Sequence, residues 1–187
     1  FIPGTLLLWF AQKFDKPEYG WYRKYVDDKN PNVSIYDLIW YKPEFYQADA
    51  PKDLDRYFEV SKAVTMRNDW SDPNALFIGF KGGVNGSPHG DLDSGSFVLD
   101  ALGVRWALDL GKEDYNLPGY WGLDQNAERW TYYRKNTEGH NTLSFDFGEG
   151  EGLVPGQISG RTAPIIRHEL NNPQGALAIT DLSGVYP

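Results

Sequence analysis

The sequence contains no cysteine, which excludes disulfides, thiol nucleophiles and thiolate metal sites. Positive charge is also in short supply. Lys+Arg 18 against Asp+Glu 26 leaves a formal net charge of -8 at pH 7, a balance that argues against a general nucleic-acid binder, which needs a basic footprint. No apolar run approaches the roughly 20 residues of a membrane-spanning helix. Histidine occurs three times, so any imidazole chemistry falls to His89, His140 or His168.

What the chain has instead is aromatic residues and glycine. Trp 7, Tyr 12 and Phe 10 accompany Gly 20 in 187 residues, and that glycine content exceeds the usual ~7%. Aromatic side chains form strands and fill cores well, and they also make sugar-stacking surfaces. The length suits one domain, or one and part of another. The opening Phe1-Ile2-Pro3-Gly4 and the closing Gly184-Val185-Tyr186-Pro187 resemble no natural terminus, so a fragment of a longer protein is expected.

Thr5 to Phe14 has helical length, a Thr5 N-cap candidate and a polar break at Asp15-Lys16-Pro17. Ser34 to Tyr41 reads as a second, Ser-capped helix ending before Pro43, and the stretch around both reads as linker. From Tyr57 the pattern becomes β-branched and aromatic between turn signals. Strands are expected within 57–67, 75–80, 96–99, 105–110, 142–147 and 176–181. Asp100-Ala101-Leu102-Gly103 makes a hairpin with glycine where positive φ is needed. The fold class is therefore mainly β (α+β), an antiparallel, sandwich-like sheet domain over 56–187 preceded by a helical segment over 1–55, with the sheet domain incomplete at its C-terminal end.

Polar chemistry concentrates in Pro88-His89-Gly90-Asp91-Leu92-Asp93-Ser94-Gly95-Ser96-Phe97. Alternate positions of an extended segment point the same way, which lets His89, Asp91 and Asp93 converge. Asp109 is expected inside an apolar strand, where an ionised carboxylate needs a partner or a cation. His140 stands at a loop-to-strand junction. Asp91 or Asp93 with Asp109 and His140 would make a mononuclear metal site, suited to zinc or to manganese or another hard divalent ion. The plainer alternative is that the acids cap turns and His140 is exposed.

The run from His89 to Asp100 resembles the H-x-H-x-D-x-G-S-F segment of the heparinase II/III-like polysaccharide lyases. Trp106-Ala107-Leu108-Asp109-Leu110-Gly111, then Tyr132-Tyr133-Arg134 and Glu138-Gly139-His140-Asn141-Thr142-Leu143, resemble the next two blocks in order and spacing. The resemblance implies an α/α helical toroid, of which the N-terminal helices would be the last turns, joined to an antiparallel β-sheet domain. It implies β-elimination on a uronic-acid polysaccharide and a structural zinc at Asp91, Asp109 and His140. It also implies a catalytic His89 and a periplasmic or secreted location. Asp91 stands where the family has its second motif histidine, a change that hardens the metal site. The family's toroid supplies a catalytic tyrosine and an Asn or His for the substrate carboxylate. The 88 residues before His89 show no matching segment, so an incomplete active site is expected in the isolated chain.

Elimination requires neutralising the uronate carboxylate, removing the C5 proton and protonating the leaving oxygen. An imidazole suits the proton transfer near neutral pH, so His89 is the expected catalytic residue, with Tyr120, presented by the Pro118-Gly119 turn, as its partner. Tyr115 and Arg134 are expected to bind substrate. Trp121 and Trp130 are sugar platforms or core, and Arg129, Arg134 and Lys135 form the local basic cluster. The expected partner is an acidic polysaccharide, together with the remainder of the chain itself. A non-catalytic carbohydrate-binding sandwich and a uronate C5-epimerase are the alternatives.

Overall fold

The computed structural model describes residues 4–29, 33–145 and 156–187. Two compact units divide the chain, Phe1–Lys52 and Asp53–Pro187. Helices make up the regular structure of the first, and antiparallel strands that of the second.

In the first unit, α1 (Thr5–Phe14) begins at Gly4, not at a Thr5 cap, and ends where Asp15 turns left-handed at φ 52. Pro17 then opens α2 (Pro17–Lys29), a helix in a stretch that reads as linker. Its sequence has almost no apolar stripe. Local pairs hold it instead: Trp21 stacks on Tyr25 at 5.2 Å and Arg23 bonds to Asp27 one turn on. Two shorter helices follow, α3 (Ile35–Trp40) and α4 (Pro43–Tyr46). As expected, Ser34 caps α3, in a capping box with Asp37. The buried Arg23 joins Asp37 at 3.0 Å. Burial by itself would raise the Asp37 carboxyl, but Arg23 and the Ser34 N–H hold it below its ordinary value. Gly20 lets α2 and α4 touch, since a Cβ there would lie 2.2 Å from the Phe45 carbonyl oxygen.

The second unit is built on a five-stranded sheet of β1 (Arg56–Phe58), β2 (Ala63–Arg67), β3 (Phe77–Lys81), β5 (Phe97–Ala101) and β6 (Val104–Ala107), in the order β1-β2-β3-β5-β6. Every pairing is antiparallel. Leu102 and Gly103, both with positive φ, close the β5–β6 hairpin in the expected place. Two small ladders complete the unit: β4 (Gly83–Val84) with β7 (Thr162–Ala163), and β8 (Ile165–Glu169) with β9 (Leu177–Thr180). The strand expected at 142–147 is absent over Thr142–Phe145, and Asp146 and Phe147 lie outside the described residues. The strand expected through 105–110 stops at Ala107.

Val64, Leu92, Trp130, Ala163 and Val185 are buried, and full burial of a Val or Leu side chain contributes about 1.5–3 kcal/mol. Tyr120 is buried with them, and much of the remaining interior is polar. Asn85, Ser94, Thr137 and Gln157 are buried together and satisfy one another. Asn85 donates to Gln157 Oε1 at 2.8 Å, Ser94 Oγ donates to Asn85 Oδ1 at 2.8 Å, and Gln157 Nε2 donates to the Ser94 carbonyl at 2.8 Å. Closed networks of this kind specify one arrangement, because each broken bond strands a buried polar atom.

Candidate metal centre and the aromatic face beside it

The connection from β3 to its sheet neighbour β5 carries the polar run 88–96. Asn85 Oδ1 accepts from the backbone N–H of Asp93 and of Ser94, each at 3.2 Å. Leu92 N–H donates to the Lys135 carbonyl at 3.1 Å, and Thr137 Oγ1 donates to the Leu92 carbonyl at 2.8 Å. The loop's backbone is thus fixed on both sides, which sets where Asp91 and Asp93 project.

Each residue of Gly139-His140-Asn141 has a mechanical reason. A Cβ on Gly139 would sit 2.1 Å from the Tyr133 carbonyl oxygen, so only glycine fits. Asn141 Nδ2 donates to the carbonyls of Phe97 and Leu108, both at 3.0 Å, and so fastens the start of β5 to the segment after β6. Between them, His140 places Nδ1 3.0 Å from Asp109 Oδ2.

Asp109 lies two residues beyond β6, not within an apolar strand, and a third of its side chain is exposed. Its other oxygen accepts the Gly111 N–H at 2.7 Å, and Gly111 adopts φ 71, so a turn has replaced the expected end of the strand. The hydrogen bond to His140 leads the effects that hold the Asp109 carboxyl low, outweighing partial burial. Burial alone would lower the His140 imidazole, but Asp109, Asp93 and Asp91 together raise it.

Asp93, Asp109 and His140 can bring one ligand atom each within 4.8 Å of one another. Asp91 Oδ2 stands 4.0 Å from His140 Nε2, while Asp91 Oδ1 is ion-paired with Lys135 and Asp93 with Lys81. Burial leads in raising the Asp91 carboxyl, and Lys135 opposes it. The residues fit a divalent cation on one observation in particular: among the described residues, His140 Nε2 is buried without a hydrogen-bond partner. With Nε2 as the ligand atom Asp109 would orient the ring from Nδ1, and with Nδ1 as the ligand atom Asp109 would join it on the ion. Of the two acids that the sequence offered for the third ligand, Asp93 clusters with Asp109 and His140, and each of the two is paired with a lysine. The lysines themselves had no signal in the sequence that tied them to these acids.

His89 is exposed on the same loop. Its ring lies 5.4 Å from Trp121 and 6.1 Å from Tyr115. Tyr115, Tyr120 and Trp121 are mutually 5.0–5.3 Å apart. Tyr115 is 40% and Trp121 51% exposed, but Tyr120 is only 1% exposed. The turn at Gly119 therefore folds the Tyr120 ring inward instead of holding it out. Trp130 is buried and belongs to the core. Arg134 reaches the carbonyls of Leu110 and Lys112, both at 3.3 Å, and Glu113 at 3.5 Å. Arg129 and Lys135 are buried, so the basic cluster is largely internal.

The family model for the heparinase II/III-like C-terminal domain matches residues 51–179. The chain belongs to that family. No curated protein matches it. As a heparinase II/III-like C-terminal domain it is kin to polysaccharide lyases, and a polysaccharide is the class of partner that this kinship implies. Among the described residues, no helix is long and apolar enough to cross a membrane.

Proposed function

We propose that this heparinase II/III-like domain is the metal-binding sheet part of a periplasmic or secreted lyase that cleaves a uronic-acid polysaccharide by β-elimination. The observation that carries the reading is the exposed His89 ring set among Tyr115 and Trp121, on the loop that also bears Asp91 and Asp93. Flat exposed rings suit the faces of sugar residues, and an imidazole within that face is placed for proton transfer at C5. Tyr120, proposed from the sequence as the second proton-transfer residue, lies buried behind this face; Tyr115 forms part of the face, and Arg134 is proposed as a substrate-binding residue.

Zinc is the proposed ion, held by Asp109 and His140 with Asp93 or Asp91. Its contribution would be structural: a bound divalent ion would tie the segment after β6 to the loop at 140 and to the His89 loop. The substrate proposed is a uronate polymer of low sulfation, such as alginate, because the chain is itself acidic. A second reading, a carbohydrate-binding module without catalysis, is favoured by the exposure of Trp121 and Tyr115, which serves binding whether or not His89 reacts.

Incubation with alginate and with heparan sulfate, followed by ultraviolet absorbance of the unsaturated uronate product, separates the readings. Product that disappears with His89→Ala supports the lyase. Binding without product, unchanged by His89→Ala, supports the module. Inversion at C5 without cleavage indicates an epimerase, and a chain that neither binds nor cuts these polymers overturns the proposal.

A further inference from the structure

Arg129 is 0% exposed and, among the described residues, pairs with no carboxylate. Its two Nη atoms are spent on backbone carbonyls, while Nε is buried without a hydrogen-bond partner among the described residues. Nη1 donates to Pro88 O at 2.8 Å and to Tyr120 O at 3.2 Å, and Nη2 donates to Gly90 O. The same group lies 5.0 Å from the Tyr120 ring centroid and 4.9 Å from that of Trp130.

Burying a cation without a counter-ion is costly, and an apolar residue would fill the space more cheaply. What an apolar residue cannot do is bridge three carbonyls from two segments, for which the planar fork of arginine is suited. The carbonyls are a specific choice. Pro88 and Gly90 flank His89 on either side, and the third belongs to Tyr120. One side chain therefore fixes the backbone on both sides of the exposed imidazole and ties it to the segment carrying the buried phenol.

We propose that Arg129 is a positioning residue that holds His89 against the Tyr115–Trp121 face and in register with Tyr120. The consequence for catalysis rests on the lyase reading, but the geometric claim does not, and the test keeps them apart. Two histidines, His89 and His168, act as separate reporters. In the full 187-residue chain, nuclear Overhauser contacts from the His89 ring to Trp121 and Tyr115 report the loop. Contacts between His168 and Tyr57, whose rings are 4.7 Å apart, report a part of the fold that Arg129 does not touch.

In Arg129→Lys the charge remains and the fork is lost. The expected result is loss of the His89 contacts with the His168–Tyr57 contacts intact. Retention of the His89 contacts overturns the proposal. If both sets vanish, Arg129→Ala is titrated with ethylguanidinium. Return of the His89 contacts, with no return on adding ethylammonium, supports the fork. Failure of ethylguanidinium to restore them overturns it. Where lyase turnover is measurable, Arg129→Lys is expected to lower kcat by about 100-fold with KM changed less than about threefold. A fall confined to KM counts against positioning. Absence of turnover in the isolated wild-type chain, whose active site is expected to be incomplete, leaves the ring contacts as the deciding measurement.

Discussion

Lys135 and Asp91 form an ion pair inside the second unit, with the lysine side chain only 1% exposed. The pair ties the loop carrying His89 to the segment at 135, and the ammonium also lies 5.3 Å from the Tyr120 ring centroid. Removing one member of such a pair strands the other. Lys135→Met is expected to destabilise the unit by about 3 kcal/mol, and the double variant Lys135→Met with Asp91→Leu to recover most of that loss. Denaturant midpoints of the two variants check this. A single variant as stable as the wild type would show that Asp91 does not depend on the lysine.

The metal site makes a prediction that discriminates between its two candidate acids. Asp109→Ala and His140→Ala are each expected to abolish near-stoichiometric divalent metal in elemental analysis. Asp93→Ala is expected to do the same, whereas Asp91→Ala, which lies outside the Asp93–Asp109–His140 cluster, is expected to retain metal. Loss in Asp91→Ala with retention in Asp93→Ala would reverse the assignment. No metal in the wild type would remove the ion from the proposal.

In chelator, the His140–Asp109 pair should give a defined pH dependence. The folded-state value of Asp109 is depressed, so its contribution is present above the ordinary aspartate value of about 3.9 and is lost as pH falls through the depressed one. The folded-state value of His140 is raised, so its contribution is complete below about pH 6.5 and is lost as pH rises through the raised one. The Tm difference between wild type and Asp109→Asn should therefore be largest between those limits and shrink on both sides. A difference that grows above about pH 6.5 contradicts the pairing.

Gly139→Ala tests the close approach that places His140. With the Tyr133 carbonyl oxygen 2.1 Å from the new Cβ, the backbone has to move, and a loss of more than about 2 kcal/mol is expected. Unfolding by denaturant measures it, and an unchanged midpoint would mean that the two segments separate freely.

The chemistry-bearing blocks were legible because their residues are local. His89 to Asp93 lie within five positions, and Gly139-His140-Asn141 carries its own packing and hydrogen-bonding logic. The β5–β6 hairpin announced itself through Gly103, and α3 through Ser34. Helix α2 was not legible, since aromatic stacking and the Arg23–Asp27 bond stabilise it without an apolar stripe. Asp109 was misplaced into a strand because Leu108 and Leu110 look like strand neighbours. In the fold both are exposed, and Gly111 turns the chain. The inward Tyr120 and the lysines on Asp91 and Asp93 depend on contacts distant in sequence, which no local pattern encodes.

The polar interior has a bearing on the order in which this unit assembles. Gln157 reaches back across 63 positions to hold Ser94, and its backbone N–H donates to Thr137 Oγ1. The hairpins of the five-stranded sheet close over short separations, whereas this clasp closes a long loop, and long closures come later and more slowly. During synthesis the sheet can therefore pair before the acidic loop is locked. A nascent chain released before residue 157 would carry the sheet, His89 and His140, but not the glutamine that holds Ser94 beside Asp93. Locking of the acidic loop therefore waits on a glutamine that belongs to neither the sheet nor the loop itself.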